Sequence, residues 1–156
     1  MQVADGETNV YSDPSQGPYD GADDTLTGVV NNSSQPVGSL QLSSNTALFG
    51  FDGDGLCTAS PHPSGCPFGP TGYEGPNTSF SGISADGSGG VVNFVTPLAP
   101  GETAYFSLEE ALTGTAVFAG GPTLTEQGRG GNGSEHVTVC YAKHRGCQIF
   151  CVSRAT

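Results

Sequence analysis

The sequence predicts an all-β chain: an antiparallel β-sandwich, Ig-like or jelly-roll-like, with one long disulfide-stapled loop and an extended tail. Three observations point there. Short runs of alternating apolar and polar residues recur at even spacing, with turn residues between them. Twenty-five Gly and eleven Pro in 156 residues break helices and build turns. With one Met, no Trp and no apolar stretch of helical period, a helical bundle is excluded.

Residues 1–24 are polar and rich in turn signals (Asp13-Pro14, Gly17-Pro18, Asp20-Gly21), and read as an extended lead-in. The sandwich is expected over 25–127. Thr25–Asn31 (TLTGVVN) is the first strand. Val37–Ser43 alternates, with Leu40 and Leu42 on one side and Val37, Ser39, Gln41 and Ser43 on the other. Ala47–Phe51 (ALFGF) reads as a short apolar strand. Residues 52–77 have no periodicity and hold five of the eleven prolines. A loop that long is functional or cross-linked.

Strand signals resume at Thr78–Ser84, with Phe80 inward. Asp86-Gly87-Ser88-Gly89 is a hairpin turn, and Gly90–Val95 pairs back. Thr103–Glu109 is the clearest strand, with Ala104, Phe106 and Leu108 on one face. Thr115–Ala119 and Pro122–Thr125 add one or two more. The expected core is Leu40, Leu42, Phe49, Phe51, Phe80, Ile83, Val92, Phe94, Phe106 and Leu108. Residues 128–156 read as a flexible GRGGNGSE linker and a Cys- and His-containing tail, in which His136–Tyr141 is a strand.

Charge narrows the function. Residues 1–128 carry fourteen acids and no Lys or Arg, a charge of −14, whereas residues 129–156 carry +3. A body without basic side chains cannot grip a nucleic-acid backbone. Cationic partners, above all divalent metal ions, are favoured instead. No run approaches the ~18 apolar residues of a membrane span, so membrane insertion is not expected. No signal peptide opens the chain, and Met1 before a polar, acidic start reads as an initiator on an excised fragment. Five Cys in a small acidic chain favour an oxidising compartment: secreted or cell-surface.

Three stretches carry a resemblance: GPYDGADDTLTGVVNNSS (17–34), LFGFDGDGLC (48–57) and GPTGYEGPNTSFSGISADGSGGVVNFVTPLAPGETAYFSLEE (69–110). Together they resemble Ig-like sandwich modules of bacterial secreted and surface proteins, the last through its L-x-P-G-x-T-x-Y-F-S-L turn and strand. The stretch GGPTLTEQG…SEHVTVCYAK (120–143) resembles the lead-in to the YD-repeat (RHS-type) region of large secreted proteins. That family continues with P-V-N-x-A-T-G, where this chain has Gly146-Cys147-Gln148-Ile149-Phe150-Cys151. The resemblance implies a non-catalytic module whose partners are neighbouring domains of a longer parent protein.

Several constellations could carry chemistry. Asp52-Gly53-Asp54-Gly55 sets two carboxylates on flexible backbone, and with Glu74 at the far end of the loop forms a calcium candidate. Asp20, Asp23 and Asp24 are a second acidic group. A simple meander puts them at the opposite end from Asp52, so one site using both groups is not expected. The competing explanation is that Asp-Gly pairs only make turns. Cys57 and Cys66 bracket eight residues and are expected to form a disulfide. His62, between two prolines in that loop, is an exposed loop residue or a ligand near Asp52 or Asp54.

In the tail, His136, Cys140, His144, Cys147 and Cys151 would share one face of a helix and could bind zinc. HVTVCY reads as strand, however, where His136 and Cys140 stand about 13 Å apart. A Cys140–Cys147 disulfide with Cys151 spare is the plainer alternative. No catalytic fingerprint is present. A Cys–His pair (Cys140 or Cys147 with His144 or His136) is permitted by composition alone.

The expected function is therefore a non-catalytic extracellular module, calcium-stabilised. One alternative is a small metal-dependent hydrolase, in which zinc on His/Cys/Asp ligands lowers the pKa of bound water. Another is a carbohydrate-binding module that uses Tyr19 and Tyr73 from Gly/Pro loops.

Overall fold

The computed structural model describes residues 17–110 and four further strands, and the chain is all-β. In chain order the strands are β1 (Gln2–Ala4), β2 (Gly6–Asn9), β3 (Thr25–Asn31), β4 (Val37–Ser43), β5 (Thr78–Ser81), β6 (Gly89–Leu98), β7 (Thr103–Leu108), β8 (Glu135–Tyr141) and β9 (Val152–Ala155). They form a six-stranded sheet in the order β7-β3-β8-β1-β2-β9 and a three-stranded sheet in the order β4-β6-β5. Every pairing is antiparallel. The stretch read as lead-in contributes β1 and β2, and β8 of the expected tail pairs with β3.

Apolar residues from both sheets meet in one core. Val29 of β3 and Ala104, Phe106 and Leu108 of β7 pack with Leu40 and Leu42 of β4 and Val92, Phe94 and Leu98 of β6. Period-2 alternation explains these faces: along β6, Gly90, Val92 and Phe94 are buried while the residues between them are partly exposed. In β4 the register shifts between Val37 and Ser39. That irregularity turns Val37 inward beside Leu40 and Leu42, against the simple alternation expected.

Two expectations need correction. Ala47–Phe51 is a turn and coil segment rather than a strand. Leu48 and Phe49 still enter the core, but the chain reverses there: the Gly50 amide donates to the Ala47 carbonyl at 2.9 Å and the Phe49 amide to Gly87. Ile83, expected inside, is 41% exposed because β5 ends at Ser81. Phe51 and Phe80 are only partly buried and pack against the rim of the core. The Thr115–Ala119 and Pro122–Thr125 strands lie outside the described residues.

Candidate metal centre

Pairing of the first long strand with the last described strand of the body sets the frame of the site. β3 and β7 are antiparallel, with Thr25 opposite Leu108. One step beyond that pair, Asp24 precedes β3 and Glu109 follows β7, so both carboxylates lie at one end of the sheet. Three hydrogen bonds fix Asp24 there. Asp20 accepts the backbone amides of Ala22, Asp23 and Asp24 at 2.9, 3.2 and 3.0 Å, a turn in which the Asp side chain mimics backbone.

The Asp52–Leu56 segment then crosses the same end. The Glu109 amide donates to the Leu48 carbonyl at 3.0 Å, the Asp52 amide to Glu109 Oε2 at 3.2 Å, and the Leu56 amide to Ser107 Oγ at 2.9 Å. Gly55 is required for this crossing. A Cβ there would come within 2.5 Å of the Tyr73 ring, so only glycine lies flat on it. Gly53, at φ 106°, makes the turn between the two aspartates.

Asp24, Asp54 and Glu109 consequently offer carboxylate oxygens all within 4.8 Å of one another, a group that could hold a metal ion. Asp24 is fully buried, and neither of its oxygens has a hydrogen-bond partner among the described residues. Burial, then repulsion from Asp54 and Glu109, pushes its pKa up to about 7. Tyr73 lies against the group. Its ring is buried and stacks on Phe51 at 4.3 Å. Its hydroxyl is 2.7 Å from Glu109 Oε2, 2.9 Å from Asp54 Oδ1 and 3.3 Å from Asp52 Oδ1. One phenol proton cannot serve three acceptors at once. Burial and the carboxylates hold the phenol far above its ordinary pKa. Asp52 is raised by the hydrogen bond it shares with Asp54, and Asp54 is lowered by Asp52 and Tyr73.

These positions revise the sequence reading. The acids around residue 24 and those at 52–54 were expected at opposite ends of the domain, and Asp24 and Asp54 instead share one group. The reason is the reversal at 47–51, which returns the chain to the start of β3 in place of a third meander strand. Glu74 is not in the group. It is buried, and its carboxylate accepts the Thr71 hydroxyl at 2.8 Å and the Thr71 and Gly72 amides at 3.1 Å. Glu109, absent from the expected ligands, has a legible signal: it directly follows the clearest strand, as Asp24 directly precedes the first.

Cys57 and Cys66 are joined as expected. His62 is exposed, with Nδ1 3.2 Å from the Pro63 carbonyl, in a depression lined by Cys57, Cys66, Pro67 and Gly72. Tyr73 is buried, contrary to the exposure a sugar-stacking role needs. Tyr19 lines a cleft of about 220 Å³ with Asp54, Thr58 and Ser60. His136 and Cys140 stand four residues apart on β8, a strand as read. His144, Cys147 and Cys151 lie outside the described residues. No helix among the described residues is long and apolar enough to cross a membrane. No protein-family model, curated protein or solved structure matches the chain.

Proposed function

We propose that this chain is a non-catalytic extracellular β-sandwich module, a structural or adhesive part of a larger bacterial surface protein, and that calcium stabilises it. The observation that carries the reading is the arrangement of its longest loop. Residues 52–77 hold both cysteines of residues 1–128, and several of the loop's polar side chains tie it down. Cys57 and Cys66 are joined to each other, the Glu74 carboxylate ties down Thr71 and Gly72, and the Tyr73 hydroxyl meets the acidic group. A disulfide-closed loop suits an oxidising compartment. The acidic composition suits a fluid that contains divalent ions. Neighbouring domains of the parent protein are its partners in this reading.

Metal analysis of the purified chain, followed by ester, phosphate and peptide substrates with and without chelator, tests it. The reading expects calcium, retained or taken up on addition, and no turnover; no turnover without calcium would leave the module and remove its calcium. Zinc near one equivalent with chelator-sensitive turnover would overturn it in favour of the hydrolase.

A further inference from the structure

We infer that Asp24, Asp54 and Glu109 form the binding site of a single hard divalent cation, and that the ion it takes is calcium. The inference rests on the module reading only in placing the domain in calcium-rich extracellular fluid. Its foundation is Asp24. A carboxylate that is 0% exposed, with both oxygens unpartnered among the described residues, faces two further carboxylates. Buried charges are paired or coordinate metals, because an isolated one is strongly disfavoured. Residues 1–128 supply no Lys or Arg to pair it. The single Tyr73 proton is already contested by Asp52, Asp54 and Glu109.

Size and donor type select the ion. Oxygens bound to one calcium at about 2.3–2.6 Å can be at most about 5 Å apart, and the three carboxylates offer oxygens within 4.8 Å of one another. The donors are all anionic oxygen, with no imidazole or thiolate in the group, which favours a hard cation over zinc. Magnesium demands near-ideal octahedral geometry and keeps its waters, whereas calcium accepts irregular sets of six to eight oxygens. Asp54, exposed on its Gly53/Gly55 loop, can adjust to such a set. The same residue borders the cleft of about 220 Å³ beside Tyr19. Occupancy would tie together three segments distant in sequence: the turn before β3, the loop after β4 and the end of β7.

The test titrates the full chain, stripped with chelator, with calcium chloride and follows the thermal midpoint. Sodium chloride at matched ionic strength and magnesium chloride run in parallel. A ligand of the folded state alone raises the midpoint by mass action, here by roughly 5–10 °C at a hundredfold excess over Kd. Calcium should give this rise and sodium should not. Asp24→Asn and Asp54→Asn should each shift the required calcium concentration upward at least tenfold, while Glu102→Gln, exposed in the turn at the opposite end of β3 and β7, keeps the parental response. Should Asp24→Asn fold poorly, Asp54→Asn, exposed on its loop, decides alone. Equal shifts with sodium, a shift with zinc but not calcium, or a full calcium response in Asp54→Asn would each overturn the site. Loss of the site removes calcium from the proposed function and leaves its non-catalytic module part standing, whereas substrate turnover would end the module part and leave the ion.

Discussion

Replacing Asp24 by Asn should stabilise the calcium-free protein at neutral pH, an unusual outcome for a buried polar position. The folded state holds the Asp24 pKa at about 7, against an ordinary 3.8. Folding therefore disfavours the ionised form. Below pH 4 the group is protonated in both states and nothing is lost. From pH 4 to 7 the unfolded chain ionises first, so stability falls as pH rises. Above pH 7 the full penalty stands: a shift of about three pH units corresponds to about 4 kcal/mol. An Asn amide carries no charge and can donate to Asp54 or Glu109, whose oxygens lie within 4.8 Å. Urea unfolding of both proteins, followed by circular dichroism in chelator across pH 4–8, reads the difference directly. The two should be about equally stable near pH 4 and diverge by up to about 4 kcal/mol in favour of Asn at pH 8. Parallel pH profiles, or a variant less stable at every pH, would show that Asp24 is not held as a buried, uncompensated acid.

Three further outcomes follow from the same contacts. Tyr73→Phe keeps the ring stacked on Phe51 but removes the one proton the carboxylates share; calcium-free stability should drop by about 2 kcal/mol, the worth of a hydrogen bond to a charged group, as urea midpoints will show. Opening Cys57–Cys66 by a Ser pair releases a loop of nine-residue separation, for which chain entropy predicts a loss of about 2–3 kcal/mol, read from midpoints under oxidising conditions. Asp86 is lowered to about 2 by Ser84 and Ser88. Its contribution is present above pH 4 and lost as pH falls toward 2, and Ser84→Ala should weaken that acid limb in a pH titration of the thermal midpoint.

Local pattern made much of the fold legible. Thr25–Asn31, Val37–Ser43 and Thr103–Leu108 are strands because their alternation and flanking turns state it without reference to the rest of the chain. The Cys57–Cys66 bridge follows from spacing in a short loop. The candidate site was only half legible. Asp52 and Asp54 stand out on their glycines, but their partners depend on long-range pairing. Thr25 meets Leu108 across most of the body, and no window of sequence contains both. The apolar run at Ala47–Phe51 also misleads. Its Leu48 and Phe49 are buried, as a strand's would be, yet the segment is a turn, and that turn delivers Asp54 to Asp24. Glu74 has the right chemistry and lies in the right loop, but neighbouring amides claim its carboxylate.

The proposed cation lies beside Tyr73, on Asp24, Asp54 and Glu109. Terbium, a hard ion with calcium-like oxygen preference, luminesces when a nearby excited tyrosine transfers energy to it. The Tyr73 hydroxyl is 2.7 Å from one proposed ligand oxygen and 2.9 Å from another. Titration of the chelator-stripped chain should give saturable, tyrosine-sensitised emission that excess calcium displaces. Emission should fall sharply in Tyr73→Phe, and in Asp54→Asn it should need at least tenfold more terbium. Emission that never saturates, resists calcium or persists undiminished in Asp54→Asn would mean that no calcium-type ion is bound there.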